Sequence, residues 1–143
     1  MNTSLRFSAY SAEITLFDET ATAAVVYAAD RGAPIAKVAE LLGHDLRALT
    51  GNDPVVTSAF DSVKGPAVII GRSDSPAMAA ILRTNRISTS QIDGKWEIYG
   101  RAAVPAPWNA REKALVIFGS DTRGTIWGVI DLTREKGVSA WEW

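Results

Sequence analysis

The sequence contains no cysteine, which excludes disulfide bridges, thiolate metal sites and cysteine nucleophiles alike. It has a single histidine, whereas a histidine-based metal site needs several ligands held together, so no metal is implied. An excess of one charge is also lacking. The 15 basic and 16 acidic residues give a formal net charge of -1 and are spread without blocks, so no nucleic acid or other polyanion is implied as a partner. The longest apolar run, Ala23 to Ala29, falls far short of the roughly twenty residues that cross a bilayer, and no membrane partner is expected. Met1 to Ser8 has no apolar segment of the kind that drives secretion, which leaves the compartment open.

What remains is enough for an ordinary core. Of 143 residues, 47% are apolar and 22% charged, and a chain of this size can bury about two-thirds of the surface it exposes when unfolded. No internal repeat and no dividing linker is visible, so a single domain over residues 1–143 is expected.

The chain alternates short apolar strands with helical patterns. Ile14 to Asp18 reads as a strand, and Ala21 to Ala29 as a second, neighbouring the first or fed by it. From Pro34, which suits a first helical turn, the residues Ile35, Val38, Ala39, Leu42, Leu46 and Leu49 fall in one arc at helical spacing. Lys37, Glu40, His44 and Arg47 fall opposite. A helix over about residues 34–50 is predicted, with Gly51 as its stop. Ala67 to Ile70, uniformly apolar between Gly65-Pro66 and Gly71, reads as a central strand covered on both faces. A second helix starts at Pro76, capped by Asp74 or Ser75, buries Met78, Ile81 and Leu82 and ends near Asn85. Strands follow over Trp96 to Val104 and Ala114 to Phe118, and a third helix over Thr122 to Lys136 with Ile126, Trp127, Val129 and Ile130 inward. This order predicts a small layered α/β domain, a mixed β-sheet with packed helices.

Two strand-to-helix loops carry residues capable of ligand chemistry. Gly71-Arg72-Ser73-Asp74 places amides where a helix N-terminus can receive an anion, although the GxxxxGK[ST] pattern is absent and a polar loop with a cap explains it as well. Gly119-Ser120-Asp121-Thr122-Arg123-Gly124 offers more: with Trp141, Asp121 and Arg123 form a candidate site for the hydroxyls or carboxylate of an acidic sugar. The alternative is that Asp121 caps the helix while Arg123 faces water or a neighbouring domain. His44, on the polar side of the first helix, reads as a solvated residue. No Gly-x-Ser-x-Gly elbow presents a nucleophilic serine. Glycosidase chemistry needs two carboxylates facing one bond, and nothing marks a pair such as Glu97 and Asp121 for that role. No catalytic residue and no cofactor is assigned.

Five tryptophans stand out. Trp96 and Trp127 lie in predicted regular elements and are expected in the core. Trp108, Trp141 and Trp143 lie in or beside loops, where an indole can stack on a sugar or fill a domain contact. Val138, Trp141 and Trp143 together form an apolar C-terminal surface expected to be covered by another body.

The stretch from Ala114 to Trp143, ALVIFGSDTRGTIWGVIDLTREKGVSAWEW, resembles a segment of glycoside hydrolase family 115, the xylan α-1,2-glucuronidases. There a strand leads into Gly-Ser-Asp-Lys-Arg-Gly-Thr-Ile-Tyr-Gly, a helix and Gly-Val-Ser-Pro-Trp. Asp45-Leu46, Thr50-Gly51, Ile69-Ile70-Gly71 and Ile92-Asp93-Gly94-Lys95-Trp96-Glu97 resemble earlier landmarks of the same N-terminal domain. The chain departs from the pattern at Thr122, Ala140, Glu142 and Arg72 to Pro76.

The resemblance implies a non-catalytic N-terminal domain that precedes and supports a TIM-like barrel. Members of the family remove 4-O-methylglucuronic acid from xylan and are usually secreted or periplasmic. Their catalytic carboxylates are expected in the barrel, so none is carried over, and the chain alone is expected to be inactive. The resemblance thus points to a truncated fragment or relative. Its expected partners are the missing barrel, or a second copy bound through Val138, Trp141 and Trp143. A free-standing module for an acidic sugar or small anion is the alternative.

Overall fold

A computed structural model describes residues 5–9, 12–17, 24–29, 33–51 and 53–135. Strands β1 (Leu5–Ala9) and β2 (Ala12–Phe17) form an antiparallel pair whose backbone lies near that of the last two strands of the main sheet. The main sheet is built from β3 (Ala24–Tyr27), β4 (Val56–Thr57), β5 (Ala67–Arg72), β6 (Tyr99–Ala106) and β7 (Asn109–Gly119), in the order β4-β3-β5-β7-β6. All neighbours are parallel except β6, which runs antiparallel to β7 at one edge. The mixed sheet and its packed helices agree with the α/β class expected. Of the two alternatives for the first two strands read from sequence, neighbours or one feeding the other, the first does not hold. β2 pairs with β1, a strand that the sequence reading missed, while β3 pairs with β4 and β5.

Helices α1 (Ala33–Thr50), α2 (Pro76–Thr84) and α3 (Thr122–Glu135) cover both faces. Alternate residues of each strand point to opposite sides, and here they feed two separate cores. Val25, Val68, Ile70, Leu115 and Ile117 pack under α1 and α3. Val26, Ala67, Ile69, Val116 and Phe118 pack under α2 and the chain that follows it. The central strand β5 is therefore buried on both faces, which is why its sequence is apolar without alternation.

The stripe of α1 is buried as its spacing requires: Ile35, Val38, Ala39, Leu42 and Leu46 are each no more than 3% exposed, while Lys37, Glu40, His44 and Arg47 are exposed. Gly51, at φ 78°, closes the helix by donating its amide to the Arg47 carbonyl at 2.8 Å, a left-handed position that suits glycine. In α2, Met78, Ile81 and Leu82 face the core, Pro76 lies in the first turn and Ser75 holds the N-cap position without a side-chain capping bond. Pro105 falls in edge strand β6 beside a register shift, where a missing amide donor is tolerated.

Two tryptophans are not where the sequence reading put them. Trp96 is 86% exposed and Trp127 40% exposed. Trp96 precedes β6, which starts only at Tyr99, and the bend between them puts Glu97 at φ 57°. On α3 the buried line runs through Thr125, Val129, Leu132 and Thr133, with Gly128 against Ile117 and Tyr99. Gly128 and Thr125 let the helix lie close to the sheet, and Trp127 falls off this buried line. Trp108, by contrast, is half-buried in the β6–β7 turn. Its indole N–H donates to the Gly65 carbonyl at 2.8 Å, and its ring meets Phe60 edge-on.

Candidate functional site

In open sheets with parallel strands, ligands bind outside the carboxyl ends of the strands, where successive connections leave on opposite faces. Here the connection after β5 leads to α2 on one face and that after β7 to α3 on the other. The loops that meet there are the two singled out from sequence, Gly71 to Asp74 and Gly119 to Gly124, joined by the Ser73 amide donating to the Gly119 carbonyl at 2.8 Å.

Asp121 caps α3. Its Oδ1 accepts the Gly124 amide at 2.7 Å, three residues on, and its carbonyl accepts the Thr125 hydroxyl at 2.9 Å. The same carboxylate reaches outside the helix, with Oδ2 accepting the Glu97 amide at 3.1 Å. Ser120 joins the grip from both sides: its amide donates to the Ile98 carbonyl at 2.8 Å and its hydroxyl accepts the Ile98 amide at 3.2 Å. Gly124 completes the socket, since a Cβ there would stand 2.3 Å from the Ile98 carbonyl oxygen. Gly119 is constrained likewise by the Thr125 amide, 2.2 Å from its would-be Cβ. The Gly-Ser-Asp-x-x-Gly run therefore seats the backbone of residues 97–98 on the first turn of α3.

The Asp121 carboxyl is held below the usual carboxylate range, first by the Gly124 amide, then by the Glu97 amide and the Arg72 and Arg123 guanidiniums, against partial burial that pushes it up. Arg123 pairs with Glu97 at 3.0 Å, and its side chain is 73% exposed. Sequence reasoning named Asp121 and Arg123, and the fold brings both to one edge. Glu97, weighed from sequence beside Asp121 as a carboxylate pair, instead meets Asp121 through its amide and Arg123 through its carboxylate, and the Ile98 backbone bonded to Ser120 carried no such notice. The Asp-x-x-Gly spacing was the signal for that contact, because glycine in a helical first turn marks a close approach.

Arg72 is the other residue given too little weight. Its Nε and Nη2 grip Asp74 at 2.9 and 2.8 Å, and its Nη1 donates to Thr122 Oγ1 at 3.3 Å. The carboxylate facing this guanidinium is thus the loop's own. Arg72 and Thr122, two of the departures from the resembled pattern, touch each other; a lysine at 122 would set two cations together. His44 lies on the exposed face of α1, away from this edge. Val138, Trp141 and Trp143 lie outside the described residues. Among the described residues no group of three or more His, Cys, Asp or Glu side chains could hold a metal ion, and no helix is long and apolar enough to cross a membrane.

The fold defines a small mixed α/β domain with a five-stranded sheet and helices on both faces. No protein-family model and no curated protein matches the chain. Among solved structures it is similar to a family GH115 4-O-methyl-α-glucuronidase, BtGH115A, which is described as specific for decorated arabinogalactans. The superposition has a TM-score of 0.59 at 21% identity, and it covers 85% of this chain but 14% of that one. At this identity the likeness is one of fold, distant and partial, to a domain of a much larger protein.

Proposed function

We propose that the chain is a non-catalytic accessory domain of an α-glucuronidase-like glycoside hydrolase acting on glucuronoxylan, and that it supports a catalytic barrel. The observation that carries this reading is the shared fold over 85% of the chain with a small part of a 4-O-methyl-α-glucuronidase. The use of the Gly119 to Gly124 run favours it too. These residues spend their hydrogen bonds on a cap and a socket, which is the work of a scaffold. An exposed surface suits the supporting role: Trp96, Ile98 and Trp127 are 86%, 38% and 40% exposed and stand around the Arg123–Glu97 pair. Large aromatic side chains beside an arginine are the composition of a protein contact.

The test is an assay of the purified chain on 4-O-methylglucuronoxylan beside the product of the full reading frame. Release of uronic acid is expected only from a longer product. Turnover by this chain, abolished by an Asp or Glu substitution within it, would sink the reading.

A second reading rests on the exposed guanidinium of Arg123: with Asp121 and Trp141 it would hold an acidic sugar in a free-standing module. Glucuronate binding lost in Arg123→Gln would support it.

A further inference from the structure

The exit of α2 carries a residue that folding does not account for. Asn85 ends the helix, the Arg86 amide donates to the Arg83 carbonyl at 3.1 Å, and the Ile87 amide donates to the Leu82 carbonyl at 2.9 Å. This is the paired hydrogen-bond pattern of a Schellman stop, with Ile87 and Leu82 sharing one core. The residue after the cap in such a stop takes a left-handed conformation and is usually glycine. Here it is Arg86, at φ 57°, a region that side chains other than glycine's hydrogen enter at a steric cost.

That strained position puts Arg86 on the wall of an open cleft of about 650 Å³, lined also by Ser88, Gln91, Tyr99 and Arg101, with Ile92 and Phe118 supplying apolar surface. A second hollow adjoins it through Arg86, Ile87 and Ser88 and adds Arg83. Among the described residues that line the two hollows none is acidic, although the whole chain has one more acid than base. Among the described residues neither Arg83 nor Arg86 forms an ion pair. The unpaired guanidiniums of Arg83 and Arg86 in a concave site attract an oxyanion, and hydroxyl and amide side chains beside them match a hydroxylated body. The volume lies within the range of small-molecule sites, about 300–1,000 Å³.

We propose that this cleft, between the α2 exit and the start of β6, binds a small hydroxylated oxyanion, a sugar acid or a sugar phosphate, with Arg86 as its principal anchor. The cleft adjoins the Asp121–Arg123 edge, but neither Asp121 nor Arg123 lines it, and the proposal does not depend on the accessory-domain reading.

The experiment is a titration of the isotope-labelled chain with sodium glucuronate, glucose 6-phosphate and glucose, followed by amide shifts, for the parent, Arg86→Gly, Arg86→Gln and Arg123→Gln. Saturable shifts at residues 86–92 and 99–101 are expected with at least one anion and not with glucose. Response to glucuronate alone assigns a sugar acid, to the phosphate alone a sugar phosphate, and to both the shared oxyanion chemistry. Arg86→Gly and Arg86→Gln should each weaken binding by about tenfold or more, the range of a lost charge-assisted hydrogen bond. Arg86→Gly should also raise the melting temperature, because glycine relieves the left-handed strain. Binding lost together with a gain in stability separates a ligand anchor from a structural residue. The proposal is overturned by an absence of saturable shifts at millimolar anion, by equal response to glucose, or by affinity that survives both Arg86 substitutions. Affinity that falls only in Arg123→Gln overturns it as well.

Discussion

The Asp121 carboxylate ties Glu97 to the start of α3, one oxygen accepting the Glu97 amide at 3.1 Å and the other the Gly124 amide at 2.7 Å. Removing a capping acceptor costs about 0.5–2 kcal/mol, and Asp121→Ala also releases the bend at residues 96–98. A loss toward the upper end of that range is expected in urea unfolding, with a smaller one for Asp121→Asn, which keeps one acceptor oxygen.

The same residue sets a pH dependence. Because the folded carboxyl titrates below its ordinary value, its stabilisation is complete above the unfolded value and is lost as pH falls through the folded one. Melting temperature followed from pH 7 down through the carboxylate range should therefore fall more steeply in the parent than in Asp121→Asn. Parallel acid limbs would show that the charge on Asp121 contributes nothing.

Gly124 decides between two opposed effects. Alanine in a helix is ordinarily worth about 1 kcal/mol over glycine, but here the added Cβ meets the Ile98 carbonyl oxygen at 2.3 Å, and moving backbone costs about 1–3 kcal/mol. Gly124→Ala should destabilise the chain. Gly65→Ala, where a Cβ has nothing within 4 Å, should change stability by no more than about 0.5 kcal/mol.

Leu46→Ala, in a residue 2% exposed, is expected to cost about 2–5 kcal/mol. Trp96→Ser should cost under about 1 kcal/mol in the isolated chain, since a side chain 86% exposed has little burial to lose, whereas Trp127→Ser, at a residue 40% exposed, should cost more. If the surface around Trp96 serves a larger partner, Trp96→Ser would weaken that association while leaving the melting temperature of this chain in place.

Elements with a dense apolar period were legible in the sequence. Ile35 to Leu46 announces α1 by spacing alone, and the unbroken Ala67 to Ile70 announces a strand covered on both faces. Such patterns are local, and burial on one helix face or two sheet faces follows from them directly. Trp96 and Trp127 were misread because apolarity was taken for inwardness. The face of α3 nearest the sheet is chosen for smallness, through Gly128 and Thr125, and size at a contact depends on a neighbour far along the chain. The same holds for the site: Asp121 and Arg123 were visible as chemistry and Glu97 as a possible neighbour of Asp121, but that the contact runs through the Glu97 amide, and that Ile98 meets Ser120 22 residues away, could be read only from the fold. Arg86 showed no signal, because its distinction is a backbone angle.

The position of β5 has a bearing on how the domain opens. Its residues alternate between the two cores, so neither helix layer can detach without uncovering one face of the same strand. It also bonds a parallel neighbour on each side. Its amides should then exchange with deuterium only through events that open the whole sheet, whereas the two-residue β4, bonded to β3 at one edge, can come away at little cost. Unfolding would proceed by peeling from that edge, with β5 as the last element to meet solvent.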